Sequence, residues 1–165
     1  MKPMYTRAIL LLSIITWGCG GKPPEPSRIG VFADTGSMVE LTSYAKRSSS
    51  GDYQAPDQAQ VPEAARVNSF YVNMPDVIIT ESKIVWVGVG AFKMQIDVGA
   101  FKTQIDVRAI DEGKLEILET QIEKTSGGVY KVSSAALQSK TGGIVGLKVV
   151  LPLGTADRIY WVKLK

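Results

Sequence analysis

Few residues of this chain could do chemistry, because histidine is absent and cysteine occurs once, at Cys19. Without imidazole there is no Ser-His-Asp or Cys-His catalysis and no Cys/His zinc site. Carboxylates, lysines, tyrosines and hydroxyls remain. Asp34 opens Asp34-Thr35-Gly36-Ser37, Asp97 and Asp106 recur in matching surroundings, and Cys19 directly follows an apolar run. Two close carboxylates can share one proton and activate a water, since both cannot ionise together. A carboxylate in an Asp-x-Gly turn can also do no more than close a hairpin. Asp97 and Asp106 lie on the polar side of alternating segments with Lys93 and Lys102, the pattern of a solvated surface hairpin. No Asp-x-Asp-x-Asp-Gly loop for calcium is present. Neither a metal nor a cofactor is expected.

Asp34-Thr35-Gly36-Ser37 resembles the catalytic loop of aspartic proteases, and Ile144-Val145-Gly146 resembles the hydrophobic-hydrophobic-Gly element that those folds pack beneath it. The resemblance implies that Asp34 would activate water together with a second Asp. Since the chain holds one such loop, a homodimer would have to supply the partner, as in single-lobe members of that family. The turn reading of Asp34 competes with this one and assigns no catalytic residue.

The surroundings of Cys19 bear on where the protein works. Lys2 and Arg7 give a positive start, Ala8 to Ile15 an apolar run broken only by Ser13, and Thr16 and Gly18 small residues at a cleavage position. The run is shorter than the roughly 20 apolar residues of a membrane span, so residues 1–18 read as an export signal. The run ending in Gly18-Cys19 resembles a bacterial lipoprotein signal. In that family the Cys becomes the first mature residue and its sulfur carries diacylglycerol, which makes Cys19 the lipidation site and the membrane a partner through an acyl anchor. Gly20, with no Asp after the Cys, looks like the outer-membrane sorting default of a diderm bacterium. Ordinary cleavage nearby is the alternative.

Residues 19–28, with Gly20-Gly21-Lys22-Pro23-Pro24-Glu25-Pro26-Ser27-Arg28, read as a lipidated Pro-rich tether with nothing apolar to bury. Residues 29–165 then form a single domain, expected to be all-β, with antiparallel hairpins building a β-sandwich-like core. Val31 and Ala33 alternate before Asp34-Thr35-Gly36-Ser37, and Val39 and Leu41 after it, which predicts a hairpin. Residues 46–66 are rich in Ser, Pro, Gln and Ala and predict a mobile loop. Ile84 to Val89 is apolar apart from Gly88, the mark of a strand covered on both faces. Val89 to Asp97 is repeated at once as Val98 to Asp106, differing only at Met94 and Thr103. The odd period would flip the second copy to the opposite face of a straight strand. Either a bulge at Gly99 or a hairpin pairing Ile96 with Phe101 resets it. Ser133 to Ser139 predicts a helical turn. In Arg158 to Leu164, Tyr160 and Val162 alternate with Trp161 and Lys163, which predicts one wetter face.

The whole chain counts 19 Lys and Arg against 16 Asp and Glu, and setting Lys2 and Arg7 aside brings the two signs close to balance. No basic patch argues for nucleic acid. IGVFADTGSMVEL, FYVNMP, IVWVGV, GGVYKVSSAAL and IYWVKL together resemble a group of uncharacterised bacterial exported proteins and lipoproteins, a likeness that implies an all-β domain and no activity. The reading is a membrane-anchored cell-envelope lipoprotein with a structural or binding role. An aspartic-protease-like homodimer is one alternative. The other is a module for glycan, peptidoglycan or an envelope protein, with Tyr44 and Tyr53 as its suggestive residues.

Overall fold

A computed structural model describes residues 23–45, 61–89, 95–96, 107–108, 114–151 and 158–165. Among these the regular structure is strand: β1 Gly30–Asp34, β2 Met38–Glu40, β3 Ser43–Ala45, β4 Glu63–Ala64, β5 Ser69–Asn73, β6 Ser82–Val87, β7 Gln95–Ile96, β8 Val107–Arg108, β9 Leu115–Leu118, β10 Gln121–Lys124, β11 Val129–Ser133, β12 Ile144–Val149 and β13 Arg158–Leu164. Two short 3-10 turns, Ser126–Gly128 and Ala135–Ser139, interrupt them, the second where Ser133 to Ser139 predicts a helical turn. No helix among the described residues is long and apolar enough to cross a membrane.

The first sheet runs β10-β11-β5-β1-β2 and the second β3-β13-β12-β6-β9, with β4 added parallel to β13. Every other neighbour pair is antiparallel. Alternation along the strands sends every second side chain inward. Val31 and Ala33 of β1, Phe70 and Val72 of β5, and Tyr130 and Val132 of β11 meet Ile84 of β6, Val145, Leu147 and Val149 of β12, and Tyr160, Val162 and Leu164 of β13 in one core. Each large apolar side chain so buried contributes about 1.5 to 3 kcal/mol. The all-β, sandwich-like expectation holds, including the β1–β2 hairpin, whose last paired residues are Asp34 and Met38.

Four expectations need correction. Residues 61–66 do not belong to the loop predicted over 46–66: Val61 and Ala64 are buried, and Lys163 N–H and Lys165 N–H donate to the carbonyls of Pro62 (2.8 Å) and Ala64 (3.0 Å). Two residues carry too little pattern to announce a strand that exists only through β13. The wetter face predicted for β13 is largely dry, since Ile159 and Trp161 are 0% and 1% exposed. Trp161 lies across Gly146, its partner on β12. A Cβ at Gly146 would stand 2.4 Å from the indole ring, so the missing side chain makes room for the aromatic.

The third correction concerns the repeat. Gln95–Ile96 of the first copy pair antiparallel with Val107–Arg108, which follow the second copy: Ile96 stands opposite Val107 and Gln95 opposite Arg108, not Ile96 opposite Phe101. The connection is therefore longer than a tight turn around Gly99 allows. The fourth is the tether. Residues 23–28 lie against the outer face of the first sheet, where Asn73 Nδ2 donates to the carbonyls of Pro26 (3.0 Å) and Arg28 (2.7 Å). Arg28 pairs with Glu40 at 2.6 Å and stands over the Phe32 ring. The segment has little to bury itself, yet it borders Phe32, Met38 and Tyr71, which with Val129 form an apolar cluster on the side of the sheet away from the core.

Candidate functional site

Asp34 is the last residue of β1, where the period-2 alternation that buries Val31 and Ala33 inward sends Phe32 and Asp34 to the outer face. Its Oδ1 accepts the Gly36 N–H at 3.0 Å. Thr35 donates to the Ser37 carbonyl from both its backbone N–H (3.0 Å) and its hydroxyl (3.2 Å). Gly36 has φ +94°, which favours glycine. The Asp34 carbonyl accepts Asn68 N–H at 2.9 Å, tying the turn to the start of β5. These bonds are what the hairpin reading of an Asp-x-Gly sequence requires.

Beyond the turn, Asp34 borders an open groove of about 410 Å³ shared with Pro23, Asn68, Ser69, Tyr71, Gln121, Lys131, Ser133, Ser134, Ala135 and Gln138. β5 contributes Ser69 and Tyr71, β11 contributes Lys131 and Ser133, and β10 contributes Gln121. Register explains the convergence: Ser69 pairs with both Asp34 and Ser133, and Ser133 with Gln121, so one rung across four strands supplies much of the floor. Ser134 to Gln138, around the 3-10 turn, form a wall. The described lining offers amides, hydroxyls, one carboxylate and one ammonium, a set suited to hydrogen-bonding a polar ligand.

The groove does not complete an aspartic dyad among the described residues, because Asp34 is its one carboxylate. Ile144-Val145-Gly146 starts β12 in the opposite sheet, where Gly146 sits under Trp161, a role in packing rather than beneath the Asp34 turn. Among the described residues no three of His, Cys, Asp and Glu are grouped to hold a metal ion. Cys19, Tyr53, Asp97 and Asp106 lie outside the described residues, as does the side chain of Tyr44, whose backbone is in β3. Trp86 is half-buried against the core, donates its indole N–H to the Gly142 carbonyl (3.3 Å) and is covered by Lys140, which also pairs with Glu116.

Sequence reasoning finds Asp34 but not the groove. The strand Ser69-Phe70-Tyr71-Val72-Asn73 does carry a signal, since its alternation puts Ser69, Tyr71 and Asn73 on one face. Nothing local brings Gln121 or Gln138 beside them. No protein-family model, curated protein or solved structure matches the chain.

Proposed function

We propose that this protein is a lipid-anchored envelope protein, attached through Cys19, that binds a polar ligand without transforming it. The observation that supports binding over catalysis is the state of Asp34: its carboxylate serves the Gly36 N–H within its own turn, while the groove beside it is lined by amides and hydroxyls. A glycan, peptidoglycan strands included, fits such a lining, since sugar hydroxyls and acetamido groups both donate and accept hydrogen bonds. The anchor rests on the residues around Cys19, and Gly20 favours the outer membrane of a diderm cell.

The test is co-sedimentation of the protein with purified peptidoglycan, and titration with soluble fragments of it. Saturable binding weakened by Lys131→Ala and Gln121→Ala supports the reading. Pepstatin-sensitive peptide cleavage lost in Asp34→Asn would replace it with the aspartic-protease homodimer.

A further inference from the structure

The Pro-rich leader covers a face with the properties of a peptide-binding surface. Phe32, Tyr71 and Val129 are buried together with Met38 packed against them, apart from the core between the sheets. Asn73, itself buried at 8% exposure, uses its amide nitrogen to hold two main-chain carbonyls, Pro26 and Arg28. It reads backbone acceptors spaced two residues apart and is indifferent to the side chains that carry them. Proline suits such a surface, because it brings a carbonyl without an N–H that would need its own partner. A Pro-rich chain is also extended before it docks and loses little conformational freedom on binding. Arg28 fixes the direction, through Glu40 on β2 and the face of Phe32. An open cleft of about 280 Å³ remains between Pro24 to Arg28 and the side chains of Phe32 and Met38, so the leader does not fill its seat.

We propose that the outer face of the first sheet, built from Phe32, Met38, Tyr71, Asn73 and Glu40, is a docking groove for extended proline-rich peptide, occupied in the resting protein by its own residues 23–28 and exchangeable for a proline-rich segment of a neighbouring protein. Attachment gives the leader an effective concentration in the millimolar range, so an outside segment competes only when held close by. The inference does not depend on acylation of Cys19 or on a ligand in the polar groove.

The chain from Cys19 onward, which contains every described element, is made without acylation and labelled with a fluorescent dye on Cys19, its sole cysteine. Dye anisotropy reports whether the leader is seated. An unlabelled peptide of residues 20–28 is expected to lower the anisotropy saturably at millimolar concentration, while the same peptide with Ser at its three Pro positions does not. Asn73→Ala should free the leader and weaken capture of the peptide about 10-fold or more, as expected for losing two hydrogen bonds. Arg28→Ala, which removes the contacts to Glu40 and Phe32 but replaces no strand residue, should raise dye mobility, and it carries the test if Asn73→Ala does not fold. Anisotropy unmoved by peptide up to about 10 mM, equal displacement by the Ser peptide, or dye mobility indifferent to both substitutions would each overturn the proposal.

Discussion

Replacing Asp34 with Asn keeps a carbonyl oxygen where the Gly36 N–H needs an acceptor. Asp34→Asn should therefore lower stability by no more than about 1 kcal/mol, whereas Asp34→Leu, which leaves that donor without its partner, should cost about 1 to 3 kcal/mol. Urea unfolding of the two variants decides it, and equal losses would mean that the charge does more than the turn requires. Gly146 makes a sharper demand. A methyl there would overlap the Trp161 ring, so Gly146→Ala should force the indole aside at a cost of about 1 to 3 kcal/mol, visible as a red shift in tryptophan emission and a lower urea midpoint. Tyr160 sets an alkaline limit. Burial raises its pKa above the ordinary value of 10.0, an effect that the nearby Arg158 partly offsets. The folded state then holds the phenol proton after the unfolded chain has released it. This contribution is full below pH 10.0 and is lost as pH rises towards the folded-state pKa. Tyr160→Phe should flatten the fall in stability above that pH, measured by unfolding at stepped pH. An unchanged slope would assign the alkaline loss to other groups.

Strand faces were legible where alternation ran unbroken. Val31-Phe32-Ala33-Asp34 shows its inner and outer sides, and Ile84 to Val89 reads as covered on both, which holds as far as Val87, where the strand ends, while Val89 is exposed. Partners were not legible, because pairing is non-local: Leu115–Leu118 and Gln121–Lys124 are neighbours in sequence yet belong to different sheets, and no local pattern marks the crossing between them. The Asp34 turn was readable for the same reason that the groove beside it was not, one being a matter of four adjacent residues and the other of four strands in register. Lys163 and Lys165 suggested a wet face for β13, but Lys163 stands near the strand's end and Lys165 follows it. The duplication yields a prediction at this scale. Deleting Val98 to Asp106 leaves Asp97 alone between Ile96 and Val107, fewer than the two residues a hairpin connection needs. The β7–β8 ladder must then be lost or re-paired. That ladder joins neither of the two larger sheets, so the variant should still unfold in one cooperative step in urea. A broad or multiphasic transition would show that both copies are integral to the core.

For the molecule as a whole, the first measurement is chemical. Mass spectrometry of the mature protein should find acyl chains on Cys19, and Cys19→Ala should leave the precursor unprocessed or release a soluble product. The chains, at about 0.8 kcal/mol per buried CH₂, would hold it at the membrane, and an unacylated wild-type protein would remove the anchor from the account. The strand order has a consequence in time as well. β13, the last of the described strands, is an inner one, with β12 on one side and β3 and β4 on the other. Until Arg158–Leu164 arrives, β3 and β4 have nothing to join and β12 exposes a full row of unpaired backbone groups. β12 and β13 are close in sequence, but joining β13 to β3 closes a loop over most of the chain, a non-local pairing that slows folding. β3 and β4 therefore find their place only on a β12–β13 pair that can form without them, so the second sheet is assembled from its middle outward.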